Sequence, residues 1–149
     1  MDAWEKFDLW KEPESFLYMP LTDLTPAEQV VALAINLDDQ IQNGGLCQYF
    51  DNAYGDDAGL AHDALLAIGA DGRAEAYQRA LTVFPESAPP VDTEARRDIL
   101  SNLPEEQFDF LNELDGIYHS HADLVPRLVA EYIQRNRKDI RGSEEFCAQ

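Results

Sequence analysis

This chain of 149 residues contains little cysteine, few basic residues and no long apolar run. Cys47 and Cys147 lie a hundred positions apart, which excludes a disulfide framework or a cysteine-based zinc site and favours free thiols over a link between the two. The longest apolar run, residues 30–35, is far shorter than the roughly 20 residues that a membrane helix needs. The acidic N-terminus lacks the basic and apolar regions of a secretory signal. We therefore expect a cytoplasmic protein without a membrane partner.

The sequence also lacks the usual signatures of catalysis. It contains no GxGxxG or phosphate-binding loop, no nucleophile elbow and no HExxH motif. Pairs of adjacent carboxylates occur, among them Asp38 and Asp39, Asp56 and Asp57, and Glu105 and Glu106. Neighbouring side chains on a helix diverge by about 100°, so these pairs indicate solvated faces and not an acid–base pair in one cleft. We predict a non-enzymatic protein that holds neither a cofactor nor a metal.

One cluster leaves an alternative open. His119, His121 and Asp123 lie close together near a predicted helix junction, and imidazole and carboxylate are ligands that zinc accepts. A complete site needs a further ligand, which no nearby motif supplies. A polar helix junction is the favoured interpretation, and a metal-dependent enzyme is the alternative.

Helical periodicity extends over most of the chain. Thr25-Pro26-Ala27-Glu28 has the pattern of a capping box with proline in the first turn, and it predicts a helix over residues 26–42 that Asn43-Gly44-Gly45 ends. Further helices are predicted over residues 46–52, 57–69, 71–84, 93–102, 104–118 and 124–137, with Asp57 and Asp71 as caps. A short docking helix is predicted within residues 2–11, where Trp4, Phe7 and Trp10 have helical spacing. No alternating strand pattern appears. We predict one all-α domain over residues 1–149, a bundle-like array of six to eight helices.

The chain is strongly and unevenly acidic. It has 29 acidic and 11 basic residues, a formal net charge of −18, of which residues 1–72 carry −12 while residues 127–149 carry +1. Two groups of acids can be defined from their positions in the sequence. The first acidic group comprises Asp38, Asp39, Asp51, Asp56, Asp57 and Asp63. The carboxylate stripe comprises Glu105, Glu106, Asp109 and Glu113, which fall on one face of the predicted helix over residues 104–118, opposite its apolar residues.

Residues 43–55, NGGLCQYFDNAYG, resemble the NGGxxQYFxNxxG signature of a bacterial family named after a DNA mimic protein. The match continues through residues 64–70, Ala80 and Phe84-Pro85, and covers about residues 25–85. Leu46 stands where an aromatic residue is expected. The motif residues are interpreted mainly as structural, with glycines for tight turns and amides for helix ends. They are Asn43, Gly44, Gly45, Gln48, Tyr49, Phe50, Asn52 and Gly55.

The resemblance implies an all-helical protein that presents carboxylates to a DNA-binding partner and forms a homodimer. We expect a DNA mimic that occupies the DNA-binding surface of a transcription regulator, a nucleoid protein or another basic nucleic-acid-binding protein. Direct binding of nucleic acid is not expected, because proteins that bind DNA neutralise its phosphates with arginine and lysine. An antitoxin-like or immunity-like module that neutralises a basic toxin is the alternative, since its composition would be the same.

Overall fold

The structure is a computed structural model that describes residues 16–142. Within these residues it contains six α-helices and no strand, which confirms the all-α prediction. The helices are α1 (Pro26–Asp51), α2 (Ala58–Ala67), α3 (Asp71–Leu81), α4 (Thr93–Ser101), α5 (Glu105–His119) and α6 (Val125–Arg135). Short 3₁₀ turns cover Phe16–Tyr18, Leu21–Asp23, Ala53–Asp57, Pro85–Ser87 and Arg137–Asp139. The docking helix predicted within residues 2–11 and the thiol of Cys147 lie outside the described residues.

Helix α1 is the centre of the array. It packs against α2, α4, α5 and α6, whereas α3 packs against α2 and α5. Its side chains at Leu37, Ile41, Leu46 and Phe50 are almost completely buried. In the part of the chain that the structure covers, no helix combines the length and the apolar composition that crossing a membrane requires.

The predicted start of α1 is confirmed in detail. Thr25 Oγ1 accepts a hydrogen bond from the Glu28 amide at 3.1 Å, and the Thr25 amide donates to Glu28 Oε1 at 3.0 Å. The two predicted aspartate caps are wrong. Asp57 occupies the cap position of α2 without a capping hydrogen bond, and α3 begins at Asp71 itself after Ala70. Residue type alone did not decide whether an aspartate at a helix start caps it, because capping also requires an extended backbone at that residue.

The Glu28 carboxylate also joins the start of α1 to the segment that follows α6. It is completely buried and accepts hydrogen bonds from the side chain of Arg141 at 2.7 and 2.8 Å. Burial alone would raise the pKa of Glu28, but the hydrogen bonds from Arg141 and from the Thr25 amide outweigh it and lower that pKa. Thr25 Oγ1 in turn donates to the Asp139 carbonyl at 2.6 Å. The helix start and the segment after α6 are therefore held as one unit.

Helix α1 breaks at Gly45, where a stop followed by a second helix was predicted. Gly45 has φ 83° and ψ 179°, a conformation that is essentially confined to glycine. Beyond the break, the Leu46 amide donates to Asp115 Oδ1 of α5 at 2.8 Å. This carboxylate supplies the acceptor that the new helix start lacks. The break and α5 are thus coupled directly.

The aromatic residues of the signature build the core behind this break. The rings of Phe50 and Phe84 meet edge to face with centroids 4.9 Å apart, and Phe50 stacks on Tyr77 at 6.1 Å. The Tyr77 hydroxyl donates to the Ala58 carbonyl at 2.7 Å, which ties α3 to the start of α2. These contacts of Phe50, together with the burial of Tyr49 and its edge-on packing against Tyr77 at 6.1 Å, support the structural interpretation of both residues.

We predict that Gly45→Ala destabilises the protein by about 1–3 kcal/mol, because its backbone conformation disfavours a side chain. A Cβ atom there would also lie 2.6 Å from Asp115 Oδ2. Gly116→Ala is the matched control, since Gly116 is exposed within α5 and its added Cβ would have no atom within 4 Å apart from the neighbouring backbone of its own helix. That change should stabilise the protein by about 0.5–1 kcal/mol. Urea unfolding measures both; equal effects would contradict the proposed role of Gly45.

Candidate partner-binding surface

The carboxylate stripe lies on the outside of α5. Glu105, Glu106, Asp109 and Glu113 are all exposed. On the opposite side of the helix, Leu111, Leu114 and Tyr118 are completely buried. Across residues 16–142, no lysine, arginine or histidine lies within 4.0 Å of a stripe carboxylate. The stripe is therefore a negative surface without an ion pair in the described residues, about 12 Å long given the rise of about 1.5 Å per residue.

Two contacts at the buried side fix the rotation of α5. Asp115 accepts from the Leu46 amide, and the Tyr118 hydroxyl donates to Asp38 Oδ1 at 2.7 Å. Burial raises the pKa of the Asp115 carboxyl, whereas the hydrogen bond from Leu46 acts in the opposite direction. With Leu111 and Leu114 also facing inward, the stripe can only point to solvent.

Asp38 is not part of a surface, and its assignment to the first acidic group is wrong. It is only 6% exposed, because it follows Ala34 by one turn of α1 and precedes Ile41 on the same buried side. Gln42 Nε2 lies 3.4 Å from the same Oδ1 that binds Tyr118. Burial raises the pKa of the Asp38 carboxyl, while these hydrogen bonds partly offset the change. Its neighbour Asp39 is exposed.

Asp56 is compensated by a buried arginine. Its Oδ1 lies 2.7 Å from Arg96 Nη2 and accepts from Thr93 Oγ1 at 2.8 Å. The hydrogen bond from Thr93, followed by that from Arg96, holds the pKa of Asp56 below its usual value. Asp56 therefore offers little free negative charge to a partner.

The rest of the first acidic group is dispersed. Asp51 is exposed but lies 3.7 Å from Arg97 Nε, and Asp57 is half-buried with a pKa that burial raises. Asp63 is exposed on α2, with His62 Nδ1 3.5 Å from its Oδ1. Only Asp39 and Asp63 remain exposed without an arginine or lysine partner in the described part of the chain. The first acidic group is not one uniform surface.

The amides of the signature connect the two arms of α1, which are residues 26–44 before the break and residues 46–51 after it. Gln40 Oε1 accepts from Gln48 Nε2 at 3.0 Å and also from Asn52 Nδ2. Asn52 Oδ1 accepts from the Tyr54 amide at 3.0 Å, which confirms its predicted helix-end role. Gln48 instead bonds a side chain and folds over Gly44, where an added Cβ would lie 1.8 Å from Gln48 Oε1. Asn43 is exposed on the outside of the break.

Gly55 is needed for a close approach. Its added Cβ would lie 2.6 Å from the Tyr49 carbonyl oxygen and 3.0 Å from Arg96 Nε. The Arg96 guanidinium is completely buried and donates to four carbonyl groups at 2.7 to 2.9 Å. Those carbonyls belong to Phe50, Asn52, Pro90 and Val91. This arginine joins the end of α1 to the loop before α4.

A second buried arginine organises the connection between α5 and α6. Arg73 donates to the carbonyls of Tyr118, His121 and Asp123 at 2.8 to 3.1 Å, and its guanidinium lies 4.7 Å from the centroid of the Tyr118 ring. The sequence interpretation missed both arginines. A signal was present, because Arg73 and Arg96 stand one helical turn before the buried residues Tyr77 and Leu100.

The metal alternative finds no ligand set in residues 16–142. His119 is exposed, and Asp123 contacts Arg127. The His121 ring lies over Gly72, where an added Cβ would be 2.1 Å from Cε1. Residues 69–73 and 121–123 line a small cavity, but no three His, Cys, Asp or Glu side chains in the described part of the chain are placed to hold a metal ion. Cys47 is a half-buried free thiol.

We predict that Asp38→Asn removes a pH dependence of stability. Because the pKa of Asp38 is raised, the folded state binds the proton of this carboxyl more tightly than the unfolded chain does. Its contribution is therefore fully present below the unfolded pKa of about 4 and is lost as pH rises through the folded pKa. Asn still accepts from Tyr118 and carries no charge. Urea unfolding between about pH 4 and pH 7 should show wild type losing stability relative to Asp38→Asn.

Asp39→Asn, which also removes one charge but from an exposed position, is the control for that experiment. A difference between wild type and Asp38→Asn that is constant with pH, or that grows in favour of wild type as pH rises, would contradict the assignment.

We predict that Arg96→Lys destabilises the protein by about 2–4 kcal/mol. The ammonium group of lysine cannot make the hydrogen bonds that the planar guanidinium makes to four carbonyls and to Asp56. Arg97→Lys is the matched control, since the neighbouring side chain is 46% exposed and its change should stay within about 0.5 kcal/mol. Thermal unfolding of both variants gives the comparison. Similar losses in the two would mean that burial of Arg96 does not matter.

Comparison with known proteins gives a family match. The family model described as DMP19-like protein matches residues 22–136. Neither the comparison with curated proteins nor the one with solved structures returned a significant match.

Proposed function

Because the chain belongs to the DMP19-like protein family, we propose that it is a non-enzymatic DNA mimic. In this proposal it occupies the DNA-binding surface of a transcription regulator or another basic nucleic-acid-binding protein. The observation that supports the proposal is the carboxylate stripe, four exposed acids with no cation within ion-pair distance in residues 16–142. The stripe is the primary contact surface.

The physical basis is electrostatic. A DNA-binding surface carries arginines and lysines spaced for phosphates, and duplex DNA presents one charge per roughly 1.7 Å of its axis. Carboxylates one turn apart on a helix are separated by about 6 Å of rise, which suits contact with successive basic side chains. The stripe does not need to reproduce phosphate geometry to occupy such a surface. Affinity for the partner should therefore fall steeply with salt.

Rigidity of the scaffold adds to this effect. Asp115 and Tyr118 hold α5 to both arms of α1, so the stripe is ordered before the partner arrives. Preordered groups lose little conformational entropy on binding. The homodimer implied by the sequence resemblance remains a prediction, which light scattering at micromolar concentration checks.

The proposal is tested by affinity capture from the native cell at two ionic strengths, with identification by mass spectrometry. Three baits are compared. One is wild type, and the second is the stripe variant with Glu105→Gln, Glu106→Gln, Asp109→Asn and Glu113→Gln. The third is a control with Glu75→Gln, Glu86→Gln, Asp98→Asn and Glu131→Gln, four exposed acids outside the stripe. Both variants change the net charge from −18 to −14, since each removes four acids.

We expect wild type and the control to retain a basic DNA-binding protein at low salt and to release it at high salt. The stripe variant should capture at least about tenfold less of this protein than wild type does, because four charge-assisted contacts are removed. The captured protein should also be displaced from its DNA by wild type. Equal capture by all three baits, or capture of no DNA-binding protein by any of them, would count against the proposal.

A further inference from the structure

The outer face of α2 is unusually apolar for an exposed helix. Five of its residues are exposed: Gly59, Leu60, Asp63, Leu66 and Ala67. Leu60 is 55% and Leu66 is 44% exposed, so both leucines present apolar area to solvent. The remaining polar member of the set is Asp63. We call Leu60, Asp63 and Leu66 the α2 face.

The exposed residues of α2 lie on one side of the helix. At 100° per residue, the five exposed residues of α2 fall within an arc of about 120°, with Leu60 and Leu66 at its edges and Asp63 near its middle. The inward side of the helix is committed to the core through Ala58, Ala61, Ala64 and Leu65. Nothing in residues 16–142 covers the outer face, so its two leucines gain by contact with another molecule.

Charge decides between a second copy of this chain and a different partner. Asp63 is the one acid of the α2 face; its side chain is 93% exposed, and within residues 16–142 its only ion-pair neighbour is His62, with Nδ1 3.5 Å from its Oδ1. A two-fold contact between two α2 faces would place Asp63 of one copy near Asp63 of the other and remove both from water. Burying two like charges with no arginine or lysine beside either one is unfavourable. A basic partner avoids this cost, because one of its arginines or lysines can pair with Asp63 between the two leucine contacts.

We propose that the α2 face is a docking surface for a basic protein segment in which apolar side chains alternate with arginine or lysine. The proposal deepens the proposed function and rests on it, because both require a positively charged partner. It assigns different roles to two surfaces. The carboxylate stripe supplies charge and salt dependence, whereas Leu60 and Leu66 supply an apolar contact that salt does not screen.

The test uses two fluorescent synthetic helical peptides with the same number of arginines. The first carries leucines along one face, and the second carries serines in the same positions. Binding is measured by fluorescence anisotropy at low and high salt with wild type and with Leu60→Ser/Leu66→Ser. The matched control is Val91→Ser/Leu124→Ser, which removes two apolar residues that are 73% and 58% exposed elsewhere. Circular dichroism checks that all three proteins are folded.

We expect wild type and the control to bind the leucine peptide about tenfold more tightly than the serine peptide, since two leucine side chains lose contact with water. Leu60→Ser/Leu66→Ser should bind both peptides equally while the salt dependence is unchanged. If wild type binds both peptides equally with normal salt dependence, the docking surface is refuted and the proposed function stands.

Other outcomes are also decisive. If the preference for the leucine peptide survives in Leu60→Ser/Leu66→Ser, the apolar contact lies elsewhere and the proposal is overturned. If neither peptide binds wild type, the docking surface is refuted, and the affinity capture decides the proposed function separately. If light scattering shows that Leu60→Ser/Leu66→Ser converts a dimer to a monomer, the α2 face belongs to a second copy.

Discussion

The hydrogen bond from the Leu46 amide to Asp115 is the contact on which the rest of the structure depends. It allows α1 to break at Gly45 and begin again at once, because the carboxylate supplies the acceptor that a helix start requires. The second arm then carries Tyr49 and Phe50 into the core. At its acceptor, Asp115, the same hydrogen bond helps to fix which side of α5 faces inward and therefore which side carries the carboxylate stripe. One contact thus couples the family signature to the acidic surface.

The use of three of its eleven cations inside the fold contributes to the acidity of the surface. Arg73 and Arg96 are buried and bind backbone carbonyls, and Arg141 is committed to Glu28. Each organises a junction between segments that are distant in sequence, which hydrogen bonds from a planar guanidinium do well. These cations are consequently not distributed over the helix faces, where they would compensate surface acids. The low number of basic residues and the use of these three inside the fold both leave surface acids without a cation.

Acids in this protein therefore fall into two physical classes. Glu28, Asp38, Asp56 and Asp115 each accept hydrogen bonds that hold a helix end, a helix pair or a loop in place. Glu105, Glu106, Asp109 and Glu113 hold nothing in the described part of the chain and lie in solvent. Side chains of the first class position parts of the fold, whereas those of the second class are free to meet a partner. Net charge alone, −18 for the chain, does not separate the two classes.

The sequence by itself determined the helices, the capping box at Thr25, the break at Gly45 and the outward direction of the stripe. These are local properties, since capping, φ preference and the 3.6-residue period act within a few turns of chain. Only the tertiary structure decided that Asp38 is buried, that Arg96 compensates Asp56, that Asp115 caps the second arm of α1, and that Leu60 and Leu66 remain uncovered. Each of these depends on which residue lies opposite, 40 to 80 positions away in the clearest cases, and periodicity along one helix carries no information about that neighbour.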